Sequence, residues 1–348
     1  MSKKLFILVT IVVSSCIFKL DSYEKANGES FLTIQADITN QIGSSKVRLY
    51  NSSEGIIGNV RFENVIGAKI FLKDDQNKTV NFSESKEGIY IPPDNYKGEV
   101  GRTYTLSIEL TSGEKIISMP ETMNECPSIT TLDYDISKTE YELKVSFQDD
   151  PTKNNYYQWV WKHYEKLVYC AKCSNSQYDF FTKSCSNIGN KDSFIYNCDA
   201  PCWDITYGEG LNLLSDEYYN GRLIQGYKAM SIPKNRVYDS YFVFFEQRSL
   251  SKSVYEYLRV LKIQTDLQAT RFDIPSLTQF SVNLKYESNK QKKILGLFNV
   301  YSSQFKTFYL TGTPSIPSGK IYIQEIPPKT VACEESIYRT RNKPFGWY

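Results

Sequence analysis

Between Val65 and Met123 apolar and polar residues alternate with a period of two, broken by glycine turns and a proline pair. That period belongs to a half-buried β-strand, because a helix of 3.6 residues per turn would scatter the same apolar residues around its circumference. Ile70 and Leu72 alternate with Lys69, Phe71 and Lys73 ahead of the polar cluster Asp74 to Lys78. Tyr104, Leu106 and Ile108 alternate with Thr103, Thr105, Ser107 and Glu109 in the same way. Gly88, Gly98 and Gly101 are expected to supply positive φ in the turns between, and Pro92 with Pro93 bars a central strand there.

Phe31 to Thr39 and Lys46 to Tyr50 alternate too, around a turn holding Gly43. Together these segments predict a β-sandwich over residues 31–123, the size usual for immunoglobulin-like domains. Pro120 and Pro127 bracket its end, and 348 residues leave room for a second core. The fold class expected is therefore all-β, with two sandwiches, the larger one over residues 128–330.

In that second region Leu143, Val145 and Phe147 share one face of a strand, and Tyr157, Trp159 and Trp161 share one face of the next. An aromatic stripe of this kind can stack on sugars, but packing in a core is its commoner use. Tyr241 to Glu246 reads as a central strand covered on both sides. A helix follows, capped by Ser251, with Val254, Tyr257, Leu258 and Leu261 at helical spacing and Asp266 near its end. Gln279 to Glu287 places Phe280, Val282, Leu284 and Tyr286 inward and forms a hairpin with Ile294 to Tyr301. Phe305 to Leu310 and Lys320 to Ile326 are further strand candidates before a tail over residues 331–348.

Lys166 to Asn220 breaks the alternation and carries Cys170, Cys173, Cys185, Cys198 and Cys202, so it reads as an insertion, residues 166–220. Its two close cysteine pairs have the spacing of a four-cysteine zinc site, but in an exported chain disulfides are the stronger reading. Cys126 and Cys333 flank the second domain. Because domain termini often lie close together, these two are expected to pair, with two local bridges in the insertion and one thiol left over. The competing arrangement joins one of the flanking cysteines to the insertion.

The compartment follows from the N-terminus. Lys3 and Lys4 precede the apolar run Leu5 to Val13, which is too short to span a bilayer and suits a signal peptide over residues 1–15. Val13-Ser14-Ser15-Cys16 resembles a bacterial lipobox, which makes Cys16 the expected lipid anchor. Residues 16–30 then form a polar tether with a reach of roughly 20 Å. The acidic residues Asp21 and Glu24 resemble the export signal of surface lipoproteins, so the expected address is the outer membrane, facing out.

Little chemistry is available. Lys and Arg number 41 against 39 Asp and Glu, a balance that recruits no nucleic acid, and His163 is the sole histidine. No GxSxG, HExxH, EF-hand or Walker sequence occurs. Asp74-Asp75, Asp149-Asp150 and Glu334-Glu335 adjoin turns and read as solvated, since neighbouring strand residues face opposite ways. No cofactor or metal is expected.

Several short segments, in this order, resemble a family of Bacteroidota lipoproteins catalogued as domain of unknown function 4249. They are Ile66 to Ile70, Gly101 to Leu106, Pro120 to Met123, Ser249 to Leu261, Arg271 to Pro275, Gly296 to Phe298 and the aromatic terminus around Phe345 and Trp347. The resemblance covers nearly the whole mature chain. It implies an outer-membrane partner protein, often encoded beside TonB-dependent transporters, and carries over no catalytic residues. The cysteine-rich insertion reads as an addition of this lineage. The expected function is thus non-enzymatic: binding or covering an outer-membrane β-barrel, either a transporter or assembly machinery. The alternative is glycan binding through exposed aromatic residues.

Overall fold

The computed structural model describes residues 30–54, 60–173, 176–186, 195–233, 241–268, 279–289, 291–310 and 330–347. The period-two segments become strands as expected. β1 (Phe31–Thr39) pairs with β2 (Lys46–Glu54), and β2 with β3 (Val60–Asn64). β4 (Lys69–Asp74) lies between β5 (Thr79–Lys86) and, past the short β6 (Ile89–Ile91), β7 (Thr103–Glu109). β8 (Lys115–Ser118) and β9 (Glu121–Thr122) both pair with β7. Ile70, Leu72, Tyr104, Leu106 and Ile108 are buried in one core, each such side chain worth about 2 kcal/mol of transfer energy. Gly88 and Gly101 have positive φ. Gly98 does not; it instead lies where a Cβ would meet the Met123 methyl at 2.3 Å, and its N–H donates to Thr39.

The second sandwich sets a three-stranded sheet against a larger one. β10 (Ile129–Ile136) and β11 (Glu140–Gln148) belong to the first sheet. β12 (Tyr156–Lys172) belongs to the second, and the hairpin of β13 (Gln177–Asp179) and β14 (Ser184–Ser186) follows it. Next come β15 (Ile195–Tyr207), β16 (Asn212–Ser215), β17 (Leu223–Pro233) and β18 (Tyr241–Leu250). β17 completes the small sheet beside β11, while β12 is flanked by β18 on one edge and by β15 and β16 on the other. Leu143, Val145, Phe147, Tyr157, Trp159 and Trp161 meet in this core, so the aromatic stripe is packing.

The helix α1 (Lys252–Gln268) begins after Ser251, whose hydroxyl accepts from the Val254 N–H at 3.4 Å. Its buried Val254 and Tyr257 pack on Tyr156, Leu250, Leu297 and Tyr301. β19 (Leu284–Tyr286) and β20 (Ile294–Leu310) follow, then β21 (Thr330–Val331) and β22 (Arg339–Thr340) along the outer edge of β15.

Three expectations about the second region need correction. The segment around 284–301 belongs to the first core, where Leu284, Tyr286, Ile294, Phe298 and Val300 are buried. β20 runs parallel to β1 over its first half and antiparallel to β18 over its second, so both sandwiches share this one strand. The expected hairpin of 279–287 with 294–301 reduces to a bridge between Phe280 and Leu295, because β19 crosses to pair with β8, and Val282 is 42% exposed. Residues 166–220 are not a separate insertion: β12, β15 and β16 continue the main sheet, and bulges around Leu167 to Ala171 are what interrupt the alternation. Lys320 to Ile326, the signal peptide and the tether with Cys16 lie outside the described residues.

Candidate functional site

The cysteines close three bridges, Cys170–Cys198, Cys173–Cys185 and Cys202–Cys333. The two local bridges are as expected, but the pairing of Cys126 with Cys333 is not found. Cys126 is a free, buried thiol that donates to the Gln247 carbonyl at 3.3 Å, and burial pushes its pKa up to about 12. Cys333 goes instead to Cys202, because β21 and β22 lay the C-terminal tail along β15 and not beside Cys126 at the entry to the second domain. The sulfurs of Cys170, Cys202 and Cys333 lie within 4.8 Å of one another, but all are engaged in disulfides and offer no thiolate to a metal.

His163 is buried in β12, stacked on Trp161 at 5.6 Å, and desolvation lowers its pKa to about 4. Of the carboxylate pairs, Asp74, half-buried, caps its own turn, and the exposed Glu334 pairs with Lys183 at 2.7 Å. Asp149 departs from that reading. It is buried, accepting from Tyr157 Oη at 2.5 Å and the Gly221 N–H at 2.8 Å, beside a second buried carboxylate, Asp216, that holds the Asn155 N–H at 2.8 Å. This knot ties two loops together; no local pattern announces it, since nothing in the sequence sets Asp216 apart from the adjacent Glu217.

The feature with the character of a binding surface is the outer face of the large sheet. Register places Tyr207, Lys162, Phe244 and Thr307 in one row across β15, β12, β18 and β20. Lys162 Nζ lies 5.2 Å above the Phe244 ring and 5.4 Å above that of Tyr164. Phe244 stacks on Phe305 at 5.1 Å and 18°, and Phe305 meets the edge of Phe345. At the other end Tyr207 packs edge-on against Tyr338 and donates its hydroxyl to the Ile337 carbonyl. The band stays in water: Phe345 is 79% exposed, Tyr338 62%, Tyr207 46% and Phe305 39%.

Both ends of the band come from the C-terminal tail, which is fastened in three ways. Cys333 is bonded to Cys202, Arg339 pairs with Asp204 at 2.7 Å, and Trp347 inserts among Trp203, Phe242 and Tyr309. Gly346, at φ +83°, lets the tail turn with the Phe242 ring 3.2 Å from where a Cβ would stand. The tail's aromatic composition was visible in the sequence, but its destination was not. No described helix is long and apolar enough to cross a membrane.

No curated protein matches the chain. A family model matches residues 17–307, well over half of the 348, and the chain therefore belongs to the family described as Domain of unknown function (DUF4249).

Proposed function

We propose that this chain is a lipid-anchored, non-enzymatic outer-membrane protein that docks on an outer-membrane β-barrel through the aromatic band of its second sandwich. The observation that carries the reading is the band itself: exposed aromatic residues at both ends of a row centred on Lys162, on a face fastened by a disulfide, are the kind of surface that another macromolecule covers. Its position suits a partner beside the anchor. The tether would enter the fold at Phe31, and from Ile294, level with Leu32, to Thr307, level with Phe244, the shared strand advances roughly 40 Å at about 3.3 Å per residue. The family match opens at residue 17, directly after the proposed lipid-bearing Cys16.

The glycan reading has less to stand on. Trp159, Trp161 and Trp203 are buried, and Trp347 is packed among rings. Phe244 and Phe305 spend a face on each other, where a sugar-stacking platform needs flat faces turned to water.

Purification of the full lipidated chain in gentle detergent tests the proposal. A β-barrel protein should accompany it in near-stoichiometric amount, whereas recovery of the chain alone, with saturable polysaccharide binding, would replace the reading with the alternative. Cys16→Ser should abolish incorporation of labelled fatty acid; undiminished labelling would remove the anchor.

A further inference from the structure

Resting on that docking reading, we infer the chemistry of the partner's contact: an apolar protein ridge with a carboxylate at its middle, seated on Lys162. The inference begins from where the charge lies. Lys162 sits mid-row, with Tyr207 on one side and Phe244 on the other, and the exposed ends of the band are formed by Ile337 and Tyr338 at one extreme and Phe345 at the other. Among the described residues Lys162 makes no ion pair; its ammonium is held over two ring faces. Glu246, the described carboxylate next along this face of β18, is already bound to Arg248 at 2.7 Å.

A purely apolar partner would bury that ammonium without a counter-charge, which is among the costliest things an interface can do. A bilayer is disfavoured by the same layout. Lysines that help proteins lie on lipid sit at the rim, where the stem covers apolar surface and the head reaches out, whereas here the aromatics form the rim and the cation the centre. A carboxylate brought down between the rings would satisfy the ammonium from the open side while flanking apolar residues cover Phe305, Phe345 and Tyr338. Water excluded around such a pair would strengthen it, and its geometry would fix the register of docking.

Site-specific photocrosslinking in intact cells, with the full lipidated chain, tests this. A photoreactive residue replaces Phe345 or Tyr207, or, as a control on the first sandwich, Phe62, which is 66% exposed. Adducts with a barrel protein should form from the first two positions and not from the third. The Phe345 adduct should fall at least tenfold with Lys162→Glu and with Lys162→Met, which keeps the apolar stem, and persist with Lys162→Arg. Changing to lysine the acidic residue found in the crosslinked partner peptide should restore the adduct to the Lys162→Glu chain. Adducts from Phe62 alone would leave docking standing and overturn this face. A Phe345 adduct indifferent to Lys162→Met, or made with lipid, polysaccharide or a second copy, would overturn the carboxylate ridge. No adduct from any position, together with purification of the chain alone, would overturn the docking reading itself.

Discussion

Gly296 passes so close to Ile34 that a Cβ on the glycine would stand 2.0 Å from the Ile34 carbonyl oxygen. The contact lies within the parallel pairing of β1 with β20, where Ile34 and Gly296 are direct partners, and Gly296 has φ +92°. Alanine there meets both a backbone clash and a conformation that L-residues avoid. Gly296→Ala should therefore cost about 3 kcal/mol or more. Because β20 serves both cores, near-ultraviolet and far-ultraviolet melts should shift down together; a variant that melts like the parent would refute the close approach.

The disulfide map makes a separate prediction. In a form lacking Cys16, the native protein should show no thiol reactive toward a bulky disulfide reagent, and the denatured, unreduced protein should show one, Cys126. Replacing Cys202 and Cys333 together with alanine opens a loop of 131 residues and should lower stability by about 5 kcal/mol in the chain-entropy model. A peptide map linking Cys126 to any other cysteine would contradict the structure.

Local pattern made the strands legible because burial on one face writes itself into the sequence every second residue. Leu106 and Trp159 were readable in this way, and both are buried as their alternation requires. What pairs with what was less legible. The hairpin of β1 with β2 is local, but the strand on the other edge of β1, β20, lies some 260 residues away, and nothing in Phe31 to Thr39 marks it. The candidate site suffers the same limit: Lys162, Phe305 and Phe345 are unremarkable in the chain and become neighbours only through register and a tail fastened at Cys333. The expected pairing of Cys126 with Cys333 fails because closeness of domain ends is a general tendency, whereas the tail's path is set by strand pairing with β15.

His163 should make the protein acid-sensitive. Its folded pKa is lowered from 6.5 to about 4 by burial, so the unfolded chain binds the proton first. Stability from this group is intact above the unfolded value and is lost as pH falls from 6.5 toward 4, amounting to about 2 kcal/mol at pH 5. Chemical denaturation at pH 7 and pH 5 should show that difference shrinking in His163→Gln. An equal loss in both proteins would assign the acid sensitivity to other groups.

Asp216 has the opposite sign. Burial, and then the neighbouring charge of Asp149, raise its pKa, and among the described residues its Oδ1 is buried without a hydrogen-bond partner while Oδ2 accepts from Asn155. A carboxyl group raised in the folded state contributes its stability at low pH, below its unfolded value of 3.8, and loses it as pH rises through the folded value. At neutral pH the fold therefore carries a buried charge that it holds poorly. Asp216→Asn keeps an oxygen for the Asn155 N–H and places an amide donor where Oδ1 stands, within the field of Asp149. Its melting temperature should exceed the parent's at pH 7, and the gap should close as pH drops below 4. A variant less stable than the parent at pH 7 would mean that the Asp216 charge is needed in the knot that joins Asp149, Asn155 and Gly221.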